Sequence, residues 1–449
     1  MAKDMCYNKI WENKIKKVES ILSVWNMRNL SFRGRIYILK SLGLSAILFE
    51  AEMHEINGYL IKKLVGVMFK FIWNNRPSLV KRDICYLPSM QGGLNMFNLS
   101  TVIKAKRVKF ILRILEGQLD EPWKILPMKY FKSLDDVFGI RYFLLKTTDS
   151  TNLINKLEIP QFYKECLLSY QEFIRKTGLF KDFDEIPWCN TNIRFMNECI
   201  SFPFWSKNGF QSISQIISPT GLVKAENIEI RLPRYPAKYF EISRLKKSIP
   251  GAWKTNTFHE KTKLFELSIN EILNINLSTG KKLIKKLGIL SSKDICELLM
   301  RSEEVKIKSF EYWSQKMQLC DSFWSKYFSL CTNNILLPRK ILDFNWKIFH
   351  GVLNTEKRLK VMKLSNGKCV ICNEIESTEH LFCHCYSLET FWKIVEKIIK
   401  SLSPNIVICD RTKILGYINV NTKAEKSVVI IFLISLVRSI ACGSGTRAV

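Results

Sequence analysis

No stretch of this sequence is apolar for long enough to cross a bilayer. The longest apolar run, Val428 to Val437, has ten residues, where a spanning helix takes about 20. It is expected to be a buried strand or helix, and no membrane is expected as a partner. The start, MAKDMCYNKIWENKIKK, is charged and lacks the apolar core of a secretory signal, which implies a cytoplasmic or nuclear protein rather than a secreted one. There is no Gly-x4-Gly-Lys-Ser/Thr phosphate loop; STGKKL at 278 to 283 lacks the first glycine and its spacing. No serine-centred elbow and no His-Glu-x-x-His helix occurs. His54, His259 and His350 are single and scattered, the pattern of structural histidines. Low-complexity tracts and repeats of fixed period are also missing. These absences remove most nucleotide hydrolases, serine hydrolases and metalloproteases from consideration.

Acidic residues are in short supply. The 449 residues carry 69 Lys and Arg against 41 Asp and Glu, a net charge of +28. Such an excess suits a polyanion, and nucleic acid is the commonest one. Hydrophobic content of 47% excludes wholesale disorder, and the length implies more than one domain. Of 14 cysteines, most are isolated within apolar segments, such as Cys166, Cys199 and Cys296, and read as reduced core thiols.

The charge is uneven: residues 1 to 115 hold 20 basic and 7 acidic residues. That region is helical in pattern. Trp11, Ile15, Val18, Leu22 and Trp25 form one apolar stripe at steps of four and three. Asn29 or Ser31 can cap a second helix from about Phe32 to Glu55, and Leu60, Leu64, Val67 and Phe71 stripe a third before Pro77. Three amphipathic helices on short connections make a bundle over residues 1 to 76. From 77 to 130, Gly92-Gly93 between two apolar runs suggests a hairpin turn, and a basic helix follows with Lys104, Lys106, Arg107, Lys109 and Arg113. Residues 131 to 330 are aromatic-rich and mostly helical in pattern, with turns expected at RLPRYPAK (231 to 238) and at 249 to 251. The fold expected is mainly α, with small β-hairpins near Gly92 and at the cysteine cluster described next.

That cluster is GKCVICNEIESTEHLFCHC, residues 367 to 385. Its spacing, Cys369-x2-Cys372-x7-His380-x4-Cys385, offers three thiolates and an imidazole, the donor set of tetrahedral zinc. Four protein ligands leave no open position for water, so Zn2+ would be structural, folding a short loop-rich domain at about 331 to 400. The alternative is a group of reduced thiols without metal. Cys383 or His384 can each stand in for a neighbour as ligand. Residues 401 to 449 form a C-terminal tail.

The segment around the cluster resembles the zinc-binding part of LINE-type, non-LTR retrotransposon reverse transcriptases. Trp346 and Phe349 stand in a helix, followed by Gly351, Leu353 and Thr355, then Arg358 in a basic helix. Cys369, Cys372, Glu379, His380, Leu381, Phe382, Cys385 and Trp392 complete the pattern. The N-terminal end resembles the thumb and linker that follow the polymerase palm in the same elements. Trp25, Leu30, Ser31, Gly34, Arg35, Phe71, Ile72, Trp73, Gly92, Gly93 and Leu94 carry that likeness. The middle is similar only loosely, through FPFWSKNGF and FEYWSQKMQLCDSFWSKYF.

The resemblance implies a thumb-like bundle, a helical linker and a CCHC zinc domain. RNA and an RNA/DNA template–primer are the implied partners, with the upstream polymerase portion of the same element as a further one. Candidate phosphate contacts are Arg28, Arg33, Arg35 and Lys40 on and before the second helix, then Lys104, Arg107 and Lys109, and beside the cluster Lys357, Arg358, Lys360 and Lys363. Trp25 and Trp73 lie on apolar stripes and read as core rather than as stacking platforms. Catalysis by this sequence alone is not expected. The one Asp-Asp pair, Asp135-Asp136, lacks the aromatic residue two positions earlier and follows the thumb-like segment instead of preceding it. Two other readings stay open: a portion of an active RNA-directed DNA polymerase split from its palm, and a zinc-stapled protein-interaction scaffold.

Overall fold

The structure is a computed structural model that describes residues 2–116, 121–132, 151–179, 187–188, 190, 192–218, 224–249, 268–278, 284–301, 305–417 and 424–443. Asp135-Asp136 and the turn at 250–251 lie outside the described residues, as does most of STGKKL. Among the described residues the architecture is mainly α-helical, with two short antiparallel hairpins pairing Arg194–Phe195 with Glu198–Cys199 and Asn276–Ser278 with Ile284–Lys286. Among the described residues no helix is long and apolar enough to cross a membrane. The apolar run at 428 to 437 lies within the helix Ala424–Gly443.

The chain divides into two units, each assembled from separated segments. One comprises Met1–Tyr7, Leu48–Ile61 and Leu99–Glu304; the other comprises Asn8–Ile47, Lys62–Asn98 and Val305–Val449. In the first unit the helices Leu99–Leu115, Gln161–Thr177 and Ser292–Met300 pack together around Val108, Leu112, Cys166, Tyr170 and Ile295. Both hairpins belong to this unit. Cys166 is buried as expected, whereas Cys199 is exposed on the first hairpin.

The second unit contains the cysteine cluster, and its core explains many of the residues singled out in the sequence. The first helix, Ala2–Asn26, buries Trp11, Ile15, Val18 and Leu22 of the expected stripe, whereas Trp25, expected in the core, is only half-buried. Ser31 caps the next helix, its Oγ accepting from the Gly34 amide at 3.0 Å. That helix runs Phe32–Ile38, passes through a π turn at Leu39–Gly43 and resumes over Ser45–Met53. Trp73 is buried, with Phe32 edge-on at 5.1 Å and Trp346 tilted against it at 6.4 Å between ring centroids.

Around Gly92 the expected hairpin is reduced to two hydrogen bonds, Asn95 to the Leu87 carbonyl and Met96 to that of Cys85. A short helix, Arg82–Tyr86, and a 3-10 turn, Ser89–Gln91, occupy the place of the first strand. Glycine is required at both turn positions. Gly92 has φ of 82°, and a Cβ on Gly93 would lie 2.0 Å from the Leu87 carbonyl oxygen. The Gly92 carbonyl accepts from Trp346 Nε1 at 2.9 Å and from His350 Nε2 at 2.8 Å.

A carbonyl only accepts, so His350 Nε2 carries the proton, and Nδ1 faces Ser309 Oγ at 3.4 Å. Burial lowers the imidazole to about 4 against the opposing effect of the Gly92 hydrogen bond. Between pH 4 and 6.5 the unfolded chain therefore binds a proton that the folded chain does not, and stability rises with pH across that window. The unfolding free energy is expected to fall by up to roughly 3 kcal/mol from this group as pH drops through the window. Denaturant titrations at pH 7 and pH 5 check it. His350→Gln should be less stable than wild type at pH 7 and should show a smaller loss on acidification; an unchanged loss would exclude His350 as the source.

Candidate metal centre

Three local structures bring the four ligands together. The first is a tight knuckle. Gly367 adopts φ of 85°, and a Cβ there would meet Lys360 Cδ at 2.7 Å. Lys368 then bridges Ile375 in antiparallel fashion, which is the small hairpin expected at this place. The Cys369 amide donates to the Glu374 carbonyl at 2.7 Å, and Asn373, in the left-handed region at φ of 65°, donates back to the Cys369 carbonyl at 2.9 Å. Asparagine tolerates that conformation better than most residues. The closed loop turns Cys369 and Cys372 to the same side.

The second is the connection to the helix Glu356–Val361, which Thr355 caps. The buried Glu376 accepts the Glu356 amide on its carboxylate and the Lys357 amide on its backbone carbonyl, both at 3.0 Å. The third is a π turn, His380–His384. In an α-helix, residues five apart point about 140° away from each other at 3.6 residues per turn. The i→i+5 turn closes with the Cys385 amide donating to the His380 carbonyl at 3.0 Å, which brings this His-x4-Cys pair onto one side.

The result is compact. Cys369 Sγ and Cys385 Sγ are 4.0 Å apart, and Cys372 Sγ lies 3.1 Å from His380 Nε2. All four ligand atoms fall within 4.8 Å of one another, and Cys369, His380 and Cys385 are buried. Two thiolates bound tetrahedrally at about 2.3 Å from zinc stand about 3.8 Å apart, so the Cys369–Cys385 separation fits such an ion. Three thiols and one imidazole converging on a common point, all but Cys372 buried, are a donor set that could hold a metal ion. Cys383 does not join them: its Sγ approaches the Asp410 carbonyl at 3.9 Å, and burial pushes its thiol up to about 12. His384 is exposed.

The remaining motif residues support this geometry. Leu381 and Phe382 are buried in the core of the unit, and Trp392 Nε1 donates to the Phe382 carbonyl at 2.8 Å. Glu379 accepts from Tyr312 Oη at 3.1 Å and from Lys316 Nζ, tying the π turn to the helix Lys308–Met317. Burial raises the Glu379 carboxyl, but the hydrogen bonds from Lys316 and Ser377 outweigh it and bring it to about 2.

The basic candidates separate into two groups. Lys357, Lys360 and Lys363 are exposed beside the cluster, with Arg358 half-buried among them. Arg28 is exposed over the Trp25 ring at 5.2 Å, and Lys40 is exposed. The others are engaged by protein acceptors, Arg33, Arg35 and Arg107 largely out of solvent and Lys104 and Lys109 partly exposed. Arg33 Nη1 pairs with Asp343 Oδ1 at 3.1 Å, and its Nη2 donates to the Thr332 carbonyl at 2.5 Å. Arg35 donates to Asn26 Oδ1 at 2.6 Å and to the Phe71 carbonyl at 2.9 Å. Arg107, 1% exposed, donates to the Ala51 and His54 carbonyls and pairs with Glu165 at 3.1 Å. Lys104 pairs with Glu172 at 2.6 Å, and Lys109 donates to the Gly288 carbonyl at 2.9 Å.

No curated protein matches the chain. One family does: residues 308–392, from the helix that anchors Glu379 to the tryptophan that anchors Phe382, match the family described as zinc-binding in reverse transcriptase. Residues 308–392 are thus similar to the zinc-binding segment of reverse transcriptases, and they hold a cysteine–histidine cluster suited to a metal.

Proposed function

We propose that this chain is the nucleic-acid-binding C-terminal portion of a LINE-type, non-LTR retrotransposon reverse transcriptase. The observation that carries the reading is the convergence of Cys369, Cys372, His380 and Cys385 inside the segment that matches the reverse-transcriptase zinc-binding family. These four residues would hold a structural Zn2+, whose closed shell supplies folding and not chemistry. The exposed Lys357, Lys360 and Lys363, with Arg358, grip the phosphates of the element's RNA. Residues 1 to 76 take the thumb's role against the template–primer, with Arg28 and Lys40 at the phosphates. Arg33, Arg35 and Arg107 act indirectly, by holding the helices that carry these contacts. Nucleotide addition belongs to a polymerase portion with its own carboxylates, which this sequence does not supply.

A second reading rests on a separate observation. Val361, Leu364 and Val370 are 82%, 72% and 79% exposed around the cluster, an aliphatic surface of the kind that protein partners cover. In that reading the zinc segment is a protein-interaction scaffold.

The test is binding of RNA and of an RNA/DNA primer–template to the zinc-loaded chain at 50 and 200 mM salt, beside Cys372→Ser. The expected outcome is affinity that falls at least tenfold over that range, RNA binding impaired in the variant, and no nucleotide incorporation by the chain alone. Salt-independent or absent binding by the zinc-loaded chain would overturn the proposal and leave the scaffold reading.

A further inference from the structure

The helix Lys238–Ser248, in the first unit, has two dissimilar faces. Lys238, Ile242, Leu245 and Ser248 are buried. On the opposite side Tyr239 and Phe240 stand 64% and 68% exposed. Two turns further along, seven residues on, this side carries Lys246 and Lys247, both exposed. Beside it Phe204, 45% exposed, lies stacked on Tyr235 with ring centroids 4.3 Å apart and 19° between planes.

The Phe204–Tyr235 stack is held in place from below. Tyr235 Oη and Trp205 Nε1 both donate to the Glu241 carboxylate, at 2.9 and 2.6 Å, so the Phe204–Tyr235 stack is fastened to the helix. Trp205 is fully buried, which anchors that bond in the core. The Arg244 guanidinium lies 5.1 Å from the Phe195 ring and 6.0 Å from Phe240, a cation between two aromatic faces. Exposed Lys207 and Arg234 flank the stack. Large rings left in water at fixed positions, rimmed by cations, make a surface with a specific complement.

We propose that this face is a platform for single-stranded nucleic acid, separate from the zinc segment. Unpaired bases stack on Tyr239, Phe240 and Phe204 while phosphates lie against Lys246, Lys247 and Arg234. The occupant follows from complementarity. An apolar protein segment would cover the rings and leave four exposed cations unmatched. A polyanion with flat π faces satisfies both. A duplex does not, because its base faces are already stacked on one another.

Fluorescence anisotropy with a labelled 20-nucleotide oligouridylate and with a duplex of equal length tests this on the full zinc-loaded chain. Tyr239→Ala/Phe240→Ala is expected to weaken single-strand binding by about 30-fold or more, with duplex affinity and thermal midpoint unchanged. Tyr239→Trp/Phe240→Trp should retain wild-type affinity. Lys246→Ala/Lys247→Ala should reduce the salt slope for the single strand by about 1.4, two phosphates' worth. Single-strand affinity within about twofold of wild type in the ring-to-alanine variant would overturn the platform and assign the rings to a protein partner. That result would leave the reading of the zinc segment standing, since Cys372→Ser reports on it separately. Absence of any single-strand binding by the intact chain would overturn both.

Discussion

Cys372→Ser is expected to reduce bound zinc from about one per chain to a small fraction of that and to unfold residues 367–385 locally. The expectation follows from how little else holds this segment. Its knuckle is closed by a few backbone hydrogen bonds, and between Gly367 and Cys385 the only large apolar side chains in the core are Leu381 and Phe382. Apparent free energies of structural zinc sites run to about 10–16 kcal/mol, far above what such a loop can supply by packing. Removing one thiolate opens the shell to water and forfeits most of that coupling. Elemental analysis of the purified protein gives the metal content, and hydrogen exchange of residues 367–385 gives the local order. Cys383→Ser is the control: its thiol faces the Asp410 carbonyl, so zinc content and protection should remain at wild-type values. Full metal content in Cys372→Ser, or loss in Cys383→Ser, would show that the ligand set is different.

The second large effect is expected at Asp343. Its carboxylate accepts from the Phe32 amide and from Arg33 Nη1 at 3.1 Å, with both side chains about nine-tenths shielded from solvent. Burial pushes the Asp343 carboxyl up and the Arg33 guanidinium down, and each is opposed by the charge of the other. Asp343→Ala leaves the buried Arg33 guanidinium without its counter-charge, with only the Thr332 carbonyl as acceptor, and the Phe32 amide without its acceptor. A loss of about 3–5 kcal/mol is expected, a large part of the roughly 5–15 kcal/mol that holds a typical domain folded. Arg33→Met/Asp343→Leu removes both charges and should recover most of that loss. Urea denaturation of the two variants, followed by tryptophan fluorescence, checks the order. A double variant no more stable than Asp343→Ala would mean that shape, not charge, governs this contact.

Much of the second unit was legible in the sequence because helical periodicity and metal-ligand spacing are local properties. Trp11, Ile15, Val18 and Leu22 are buried as their spacing implies, and the four expected ligands are the four that converge. The His-x4-Cys step hid its own explanation, since five residues suit a π turn and not the start of an ordinary helix. Basic residues were harder to place. Charge alone cannot distinguish an arginine facing water from one buried against carbonyls. The signal for Arg107 was present in its neighbours: Ile103 and Ile111 stand four residues away on either side, so Arg107 shares their buried face. Arg33 gave no such sign, because its partner lies 310 residues further on. The hairpin expected at Gly92 failed for a related reason: the turn serves Trp346 and His350, and its carbonyl is directed at them instead of completing a ladder.

That long separation has a consequence for how the protein is made. Phe32 meets its buried carboxylate only after a further 311 residues have been added. At ~5–20 residues per second, the ribosome takes roughly 15 to 60 s to supply them. During that interval the N-terminal helices exist without Trp346 over Trp73 and without an anion for Arg33. Until those residues are added, the N-terminal helices carry an unfinished apolar surface.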